Sequence, residues 1–270
     1  MSPPTERGGG AVSPDSPPAP ICQLNGQIAL VTGGSRGIGR AIVRKLARAG
    51  CDLAINYYNS HDEAEDLAAE LAPLGRRVAL VPGNVGDPAS VDEIFGTFAA
   101  HFDRLDILVS NAASGVLKPA EELTLKHWRW CLETNALALN LLAQKAAPRM
   151  RPGGRIIALS SLGAVRALPD YAFIGASKAA LESLVRTLAV EMAPRGIRVN
   201  AVSAGVVDTE ALAHFPRREE IAGEFLRRSL AGRLLSPEDV AGAVYLLCLP
   251  EAEMIRGQTL VVDAGYSIVG

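Results

Sequence analysis

The sequence predicts one α/β domain, a parallel, seven-stranded, doubly wound sheet with helices on both faces. Three observations lead to that reading. From Gln27 onward, short apolar runs alternate with amphipathic stretches, the pattern of repeated βαβ units whose parallel strands are covered on both sides. The chain has 270 residues, 49% of them apolar, enough to bury one large core. A glycine-rich turn at 33–39 stands where the first apolar run gives way to the first amphipathic stretch.

The elements follow in order. IALVT at 28–32 is the first strand, and the helix after the glycine turn runs over about 38–49, closed by Gly50 where a left-handed residue is expected. DLAINY at 52–57 is the second strand. Ser60 and Glu63 have the spacing of a capping box for a helix that stops before Pro73. RVALVPGNV at 77–85 gives the third strand, and Asp87-Pro88 caps and opens the next helix. DILVSNAAS at 106–114 is the fourth strand with its loop, and Thr124 caps a long helix through Ala147. GRIIALSS at 154–161 and IRVNAVS at 197–203 are strands five and six, separated by a helix over about 170–193. At 206–235 strand signal is replaced by short polar helical pieces, as expected of a mobile substrate cover. Ser236 caps one more helix, and QTLVVD at 258–263 is the last strand.

Composition excludes several classes. A net charge of −2, balanced along the chain, gives no electrostatic footprint for nucleic acid or an anionic membrane. No apolar run reaches the roughly 20 residues that span a bilayer. Cys22, Cys51, Cys131 and Cys248 are scattered, without CxxC or histidines at ligand spacing, so no metal is expected and the thiols read as reduced and cytoplasmic. Residues 1–20, rich in Pro, Gly and Ser, have neither a basic start nor an apolar signal core. They read as a disordered leader to a domain at 21–270.

The turn TGGSRGIG at 32–39 suits a pyrophosphate: its glycines permit close backbone approach, and the following helix offers N–H groups and a positive dipole end. Gly33, Ser35, Arg36, Gly37, Ile38 and Gly39 form the candidate cradle. No Gly-Lys-Ser/Thr follows, which argues against a mononucleotide loop. The second strand ends without the acidic residue that would hold the 2′-hydroxyl of NAD. With Arg36 in the turn, and Asn59 and Ser60 opening the next helix, the expected cofactor is NADPH. Asp62 is the residue that speaks against it.

Tyr171 precedes Lys178 by seven positions in SSLGAVRALPDYAFIGASKAA. On a helix that interval is nearly two turns, so both side chains share a face. A lysine beneath a tyrosine lowers the phenol pKa and suits proton donation or oxyanion stabilisation. Neither His127 nor His214 has a partner at triad spacing, which argues against hydrolysis.

Taken together, the glycine turn, Asn111-Ala112-Ala113-Ser114, Asn135, Ser160-Ser161 and Lys178 resemble a short-chain dehydrogenase/reductase from about Leu24 to the end. The resemblance implies a Rossmann-type fold, with the glycine loop on the pyrophosphate and Asn111, Ala112 and Ala113 beside the cofactor. It also implies that Lys178 binds the nicotinamide ribose, that Asn84 and Val85 flank the adenine, and that Val206 and Thr209 meet the carboxamide. A homotetramer packed through the helices at 124–147 and 170–193 is implied as well.

Two positions depart from the family pattern. Ile174 stands where Y-x-x-x-K places its tyrosine, and Ala204-Gly205 replaces Pro-Gly. The spacing Y-x6-K instead resembles the enoyl-acyl carrier protein reductases, and NAASGVLKP, GVVDTEALAHFP and MIRGQTLVVDAG resemble the NADPH-dependent class III. That resemblance implies reduction of a trans-2-enoyl thioester carried on acyl carrier protein or CoA, as in fatty-acid or polyketide-type metabolism. There the negative charge develops on a thioester oxygen remote from the carbon attacked, so the oxyanion donor stands farther from the nicotinamide. Moving the tyrosine one helical turn outward meets that need. Tyr171, Lys178, Ser161 and Asn135 are the candidate catalytic residues. Ser161 is either catalytic or purely structural, and Asn135 supports a helix bend and a water chain. The cover offers Leu212, Phe215, Leu226 and Leu230 as acyl-pocket candidates. A 3-oxoacyl or other carbonyl reductase, or a silent NADP-binding regulator, are the alternatives.

Overall fold

A computed structural model describes residues 23–213, 215 and 217–269; the expected leader at 1–20, Cys22 and His214 lie outside the described residues. Strands β1 (Ile28–Val31), β2 (Asp52–Tyr57), β3 (Val78–Pro82), β4 (Ile107–Ser110), β5 (Arg155–Ser161), β6 (Arg198–Ala204) and β7 (Thr259–Val262) form one sheet in the order β3-β2-β1-β4-β5-β6-β7. Every pairing is parallel. The order reverses between β1 and β4, which opens a crevice at their carboxyl ends, where open α/β sheets take ligands.

Helices α1 (Gly37–Arg48), α2 (His61–Leu71), α3 (Pro88–His101), α4 (Leu125–Leu132), α5 (Ala138–Ala146), α6 (Ala172–Met192), α7 (Glu210–Ala213), α8 (Arg218–Arg228) and α9 (Pro237–Cys248) cover the sheet and its rim. The strand period of two splits the core into two layers. From β1, Ala29 and Val31 pack with Ile42, Leu46 and Val244 on one side, while Ile28 and Leu30 pack with Phe95, Leu142 and Val185 on the other. Two apolar faces per strand explain why these segments read as unbroken apolar runs. Among the described residues no helix is long and apolar enough to cross a membrane.

Most predicted helix starts form as read. Asp87 accepts from the Ala89 N–H at 3.1 Å with Pro88 behind it. Ser236 and Asp239 close a reciprocal box at α9. Thr124 caps α4, and His127 accepts the Thr124 N–H through Nδ1 at 3.2 Å, so this imidazole has a capping task.

Three expectations need correction. Ser60 precedes α2 but makes no side-chain cap; its hydroxyl pairs with Ser35 Oγ at 2.6 Å, so the box with Glu63 does not form. The long helix at 124–147 is interrupted by a π-helical turn, Glu133–Leu137, between α4 and α5. Asn135 lies in that widened turn, at a position where such bulges commonly mark function. Finally, α6 begins at Ala172, and Tyr171 is its N-cap residue with φ −118° and ψ 12°. Asp170 before it has φ +60°, a left-handed conformation that aspartate tolerates better than most residues. The tyrosine therefore does not share a helical face with Lys178.

Candidate active site

At the end of β1 the chain turns through Gly33 (φ +60°) and Gly37 (φ +52°). A Cβ on Gly39 would be driven into the Gly33 carbonyl oxygen, so only glycine lets α1 start against this turn. Asn111 locks the turn from β4: its Nδ2 donates to the carbonyls of Thr32 at 2.9 Å and Gly33 at 3.0 Å. Thr32 Oγ1 in turn accepts the N–H groups of Asn111 at 3.0 Å and Ala112 at 3.1 Å. These two residues thus shape the crevice. The N-cap of α1 is Arg36, which cannot accept a hydrogen bond, so the first N–H groups of α1 have no side-chain cap. A helix start left open to an anion fits a pyrophosphate.

Ser35 is buried against Ser60, while Arg36 and Asn59 are exposed beside them. A residue not anticipated from the sequence, Asn56, joins the strand ends: its buried Nδ2 donates to the carbonyls of Val81 at 3.0 Å and Gly83 at 3.1 Å. An amide following the apolar run Leu53–Ile55 was the available signal. Asn84 folds onto its own turn, with Oδ1 accepting the Gly86 N–H at 3.0 Å. Val85 is 4% exposed and its side chain belongs to the core, which leaves its backbone as the part able to flank an adenine.

A cavity of about 400 Å³ holds Tyr171, Lys178, Ser161, Ile38, Ala113, Val206 and Thr209 together. Ile174 is not among its lining residues. Ile174 instead packs on Gly115, where an added Cβ would collide with its side chain. The Tyr171 ring is accommodated by Gly163, whose Cβ would lie 2.5 Å from ring carbons. The glycine in SSLG is therefore what gives the displaced tyrosine its place. Tyr171 Oη lies 3.2 Å from Ser161 Oγ, and Ser161 also accepts the Gly163 N–H at 3.2 Å. Burial pushes the half-buried phenol above its ordinary pKa, with the Ser161 hydrogen bond pulling the other way. This reverses the expected lowering and favours the protonated phenol, the form able to donate a hydrogen bond.

Lys178 is buried, and its ammonium donates to the Leu159 carbonyl at 2.7 Å. Three N–H bonds on one ammonium leave donors for a ribose diol. Burial lowers its pKa to about 8. Asn135 is held on three sides: its Nδ2 donates to Ser114 O at 2.8 Å and Ser177 Oγ at 2.9 Å, and its Oδ1 accepts the Ser114 N–H at 2.8 Å. It thus ties the loop after β4 to α6. A second tie unseen in the sequence is buried Ser160, whose hydroxyl donates to buried Glu182 at 2.6 Å. Of the four cover residues expected in the pocket, Leu212 and Phe215 line the cavity; Leu226 and Leu230 do not, being 43% and 73% exposed. Helical phase turns Leu226 toward solvent while its neighbour Phe225 is fully buried.

A glycine turn that suits a dinucleotide, joined through Ile38 to a cavity that holds a buried lysine and a phenol, has the parts of a nicotinamide-dependent oxidoreductase site on a doubly wound sheet. The family model described as enoyl-(acyl carrier protein) reductase matches residues 33–267. The chain is 41% identical over 245 residues to the 1-cyclohexenylcarbonyl-CoA reductase of Streptomyces collinus, covering 90% of this chain and 88% of that one. It is 34% identical over 254 residues to a hydroxynaphthalene reductase-like protein of Metarhizium brunneum, covering 90% and 95%. A short-chain dehydrogenase from Burkholderia cenocepacia, solved in complex with NADP, superposes with a TM-score of 0.85 at 35% identity over 91% of this chain and 99% of that one. The chain belongs to the short-chain dehydrogenase/reductase family, in its enoyl-reductase-like group.

Proposed function

We propose that this protein reduces the carbon–carbon double bond of a trans-2-enoyl thioester with NADPH. The observation that carries the reading is the position of Tyr171, in the cavity and bonded to Ser161, while Ile174 packs outside it. When bound, NADPH supplies the hydride that reaches the β-carbon. Tyr171 donates its hydrogen bond to the thioester oxygen on which negative charge develops as the double bond shifts, and a proton drawn from solvent then reaches the α-carbon as the carbonyl re-forms, giving the saturated thioester. Ser161 orients that phenol. Lys178 holds the ribose and adds positive field, and Asn135 fixes the loop and helix that frame the site. The relative from Streptomyces collinus is by its name a reductase of a cyclohexenylcarbonyl-CoA, which supports CoA as the carrier and a compact acyl group. The test is NADPH consumption with crotonyl-CoA against acetoacetyl-CoA. The reading predicts turnover of the first; turnover of acetoacetyl-CoA alone would establish a carbonyl reductase instead.

The charge on Lys178 predicts a pH profile. It is present below about 8 and lost as pH rises through that value, so kcat/KM for the thioester should be full near neutrality and fall above pH 8. A profile flat to pH 10 contradicts the assignment. Arg36 carries the second prediction. It is exposed at the cradle and bears the charge expected to meet the 2′-phosphate. Arg36→Ala should weaken NADPH binding by about tenfold or more, the scale of a charged hydrogen bond, and leave NADH unchanged. Fluorescence titration with both cofactors checks it; equal losses would remove Arg36 from that role.

A further inference from the structure

Part of the cavity wall comes from the segment that follows β7. Tyr266 and Glu224 line the same cavity as Tyr171 and Lys178. Tyr266 is 8% exposed, and its ring stacks on Phe225 with centroids 5.2 Å apart and planes at 23°. The Arg228 and Arg166 guanidiniums lie 4.7 Å and 5.9 Å from the ring centroid. Its hydroxyl donates to Glu224 Oε1 at 2.9 Å, and Arg228 reaches the same oxygen at 3.5 Å.

The segment carrying the ring is itself tied down. Asp263 accepts the N–H groups of Gly265 at 2.9 Å and Ser267 at 2.8 Å. Arg166, in the loop after Ser161, donates to Ser267 O at 2.7 Å; Arg228, on α8, donates to Val269 O. The cover adds the Leu230 N–H, which donates to Ala264 O at 2.9 Å. Ala264 has φ +52°, a left-handed conformation kept by a residue with a Cβ only where its surroundings impose it. Swinging Tyr266 aside would cost its stacking, its cation contacts and its hydrogen bond at once.

We propose that Tyr266 is a specificity-determining residue: a fixed phenol that closes part of the substrate cavity and restricts it to short or ring-sized acyl groups. The space of about 400 Å³ must take the acyl group, the thioester and the reacting end of the cofactor, so a long alkyl chain competes with this ring for room. The inference rests on the enoyl-thioester reading, and its test separates the two.

The measurement is calorimetric binding of butanoyl-CoA and decanoyl-CoA to the NADP-loaded full chain, alongside NADPH oxidation with the matching trans-2-enoyl-CoAs. Wild type is expected to prefer butanoyl-CoA. Tyr266→Ala should move the decanoyl-to-butanoyl affinity ratio toward decanoyl by about tenfold or more, the scale on which a pocket resolves one or a few methylenes. Tyr266→Phe, which keeps the ring and loses Glu224, should move it less. If Tyr266→Ala does not fold, Tyr266→Leu takes its place. An unchanged ratio in a folded variant, or a wild type that binds neither acyl-CoA, overturns the proposal. A wild type that binds butanoyl-CoA but reduces no enoyl-CoA contradicts olefin reduction alone, since the binding ratio still decides the role of Tyr266.

Discussion

Tyr171→Phe is expected to lower kcat for enoyl thioester reduction by about a hundred- to a thousandfold, the ~3–4 kcal/mol that one oxyanion donor supplies. The ring keeps its seat on Gly163, so the change removes one hydroxyl from Ser161 and from the cavity and little else. NADPH affinity should hold, because the glycine turn and the Lys178 contact to Leu159 are untouched. Steady-state kinetics at saturating NADPH, with a fluorescence titration of the cofactor, give both numbers. Near-wild-type kcat, or a parallel loss of NADPH binding, contradicts the role given to the phenol. Because burial holds this phenol protonated, the profile above neutrality should follow Lys178 rather than Tyr171.

Gly39→Ala should weaken the other half of the site. Besides the Gly33 carbonyl oxygen, the new Cβ would come within 2.7 Å of Asn111 Nδ2 and 2.9 Å of the Gly33 carbonyl carbon. Two of these atoms are backbone, and the third is fixed by its own hydrogen bonds, so the turn or the start of α1 must move. Overpacking of this kind costs about 1–3 kcal/mol, and the loss falls on the atoms proposed to cradle the pyrophosphate. NADPH affinity should drop by at least about tenfold, with a fall in Tm of several degrees, on the order expected for a domain of this size. Gly96→Ala is the control: nothing lies within 4 Å of its Cβ in the interior of α3, and the change should leave binding intact and raise stability by about 0.5–1 kcal/mol. Unchanged NADPH binding in Gly39→Ala would show that the cradle tolerates displacement and is not the cofactor site.

The sheet was legible because its strands are apolar on both faces and separated by helical stretches with recognisable caps. All seven strands fall where the runs of apolar residues place them. The cofactor turn was legible for a similar reason, since glycine at 33, 37 and 39 answers a demand of the backbone itself. What the residues alone did not reveal were departures set by tertiary contacts. Periodicity carries the helix from 124 to 147 without a break, yet Asn135 opens a π-helical turn by bonding to Ser114 and Ser177. A serine three residues before a glutamate reads as a capping box, yet Ser60 finds Ser35 across the crevice. Seven-residue spacing reads as one helical face, yet Asp170 turns the chain so that Tyr171 precedes α6 and reaches Ser161. The signal for that last arrangement was present in Gly163, a glycine without any turn requirement of its own, whose missing side chain receives the tyrosine ring. Glu224 and Tyr266, forty-two positions apart, gave no sequence sign of sharing one cavity.

The most direct test is a crystal of the full chain with NADP and a saturated acyl-CoA product. The account predicts the Tyr171 hydroxyl within about 3.2 Å, hydrogen-bond range, of the thioester carbonyl oxygen, with Lys178 on the nicotinamide ribose. A thioester oxygen held by another group, with the Tyr171 hydroxyl pointing away from it, would contradict the account.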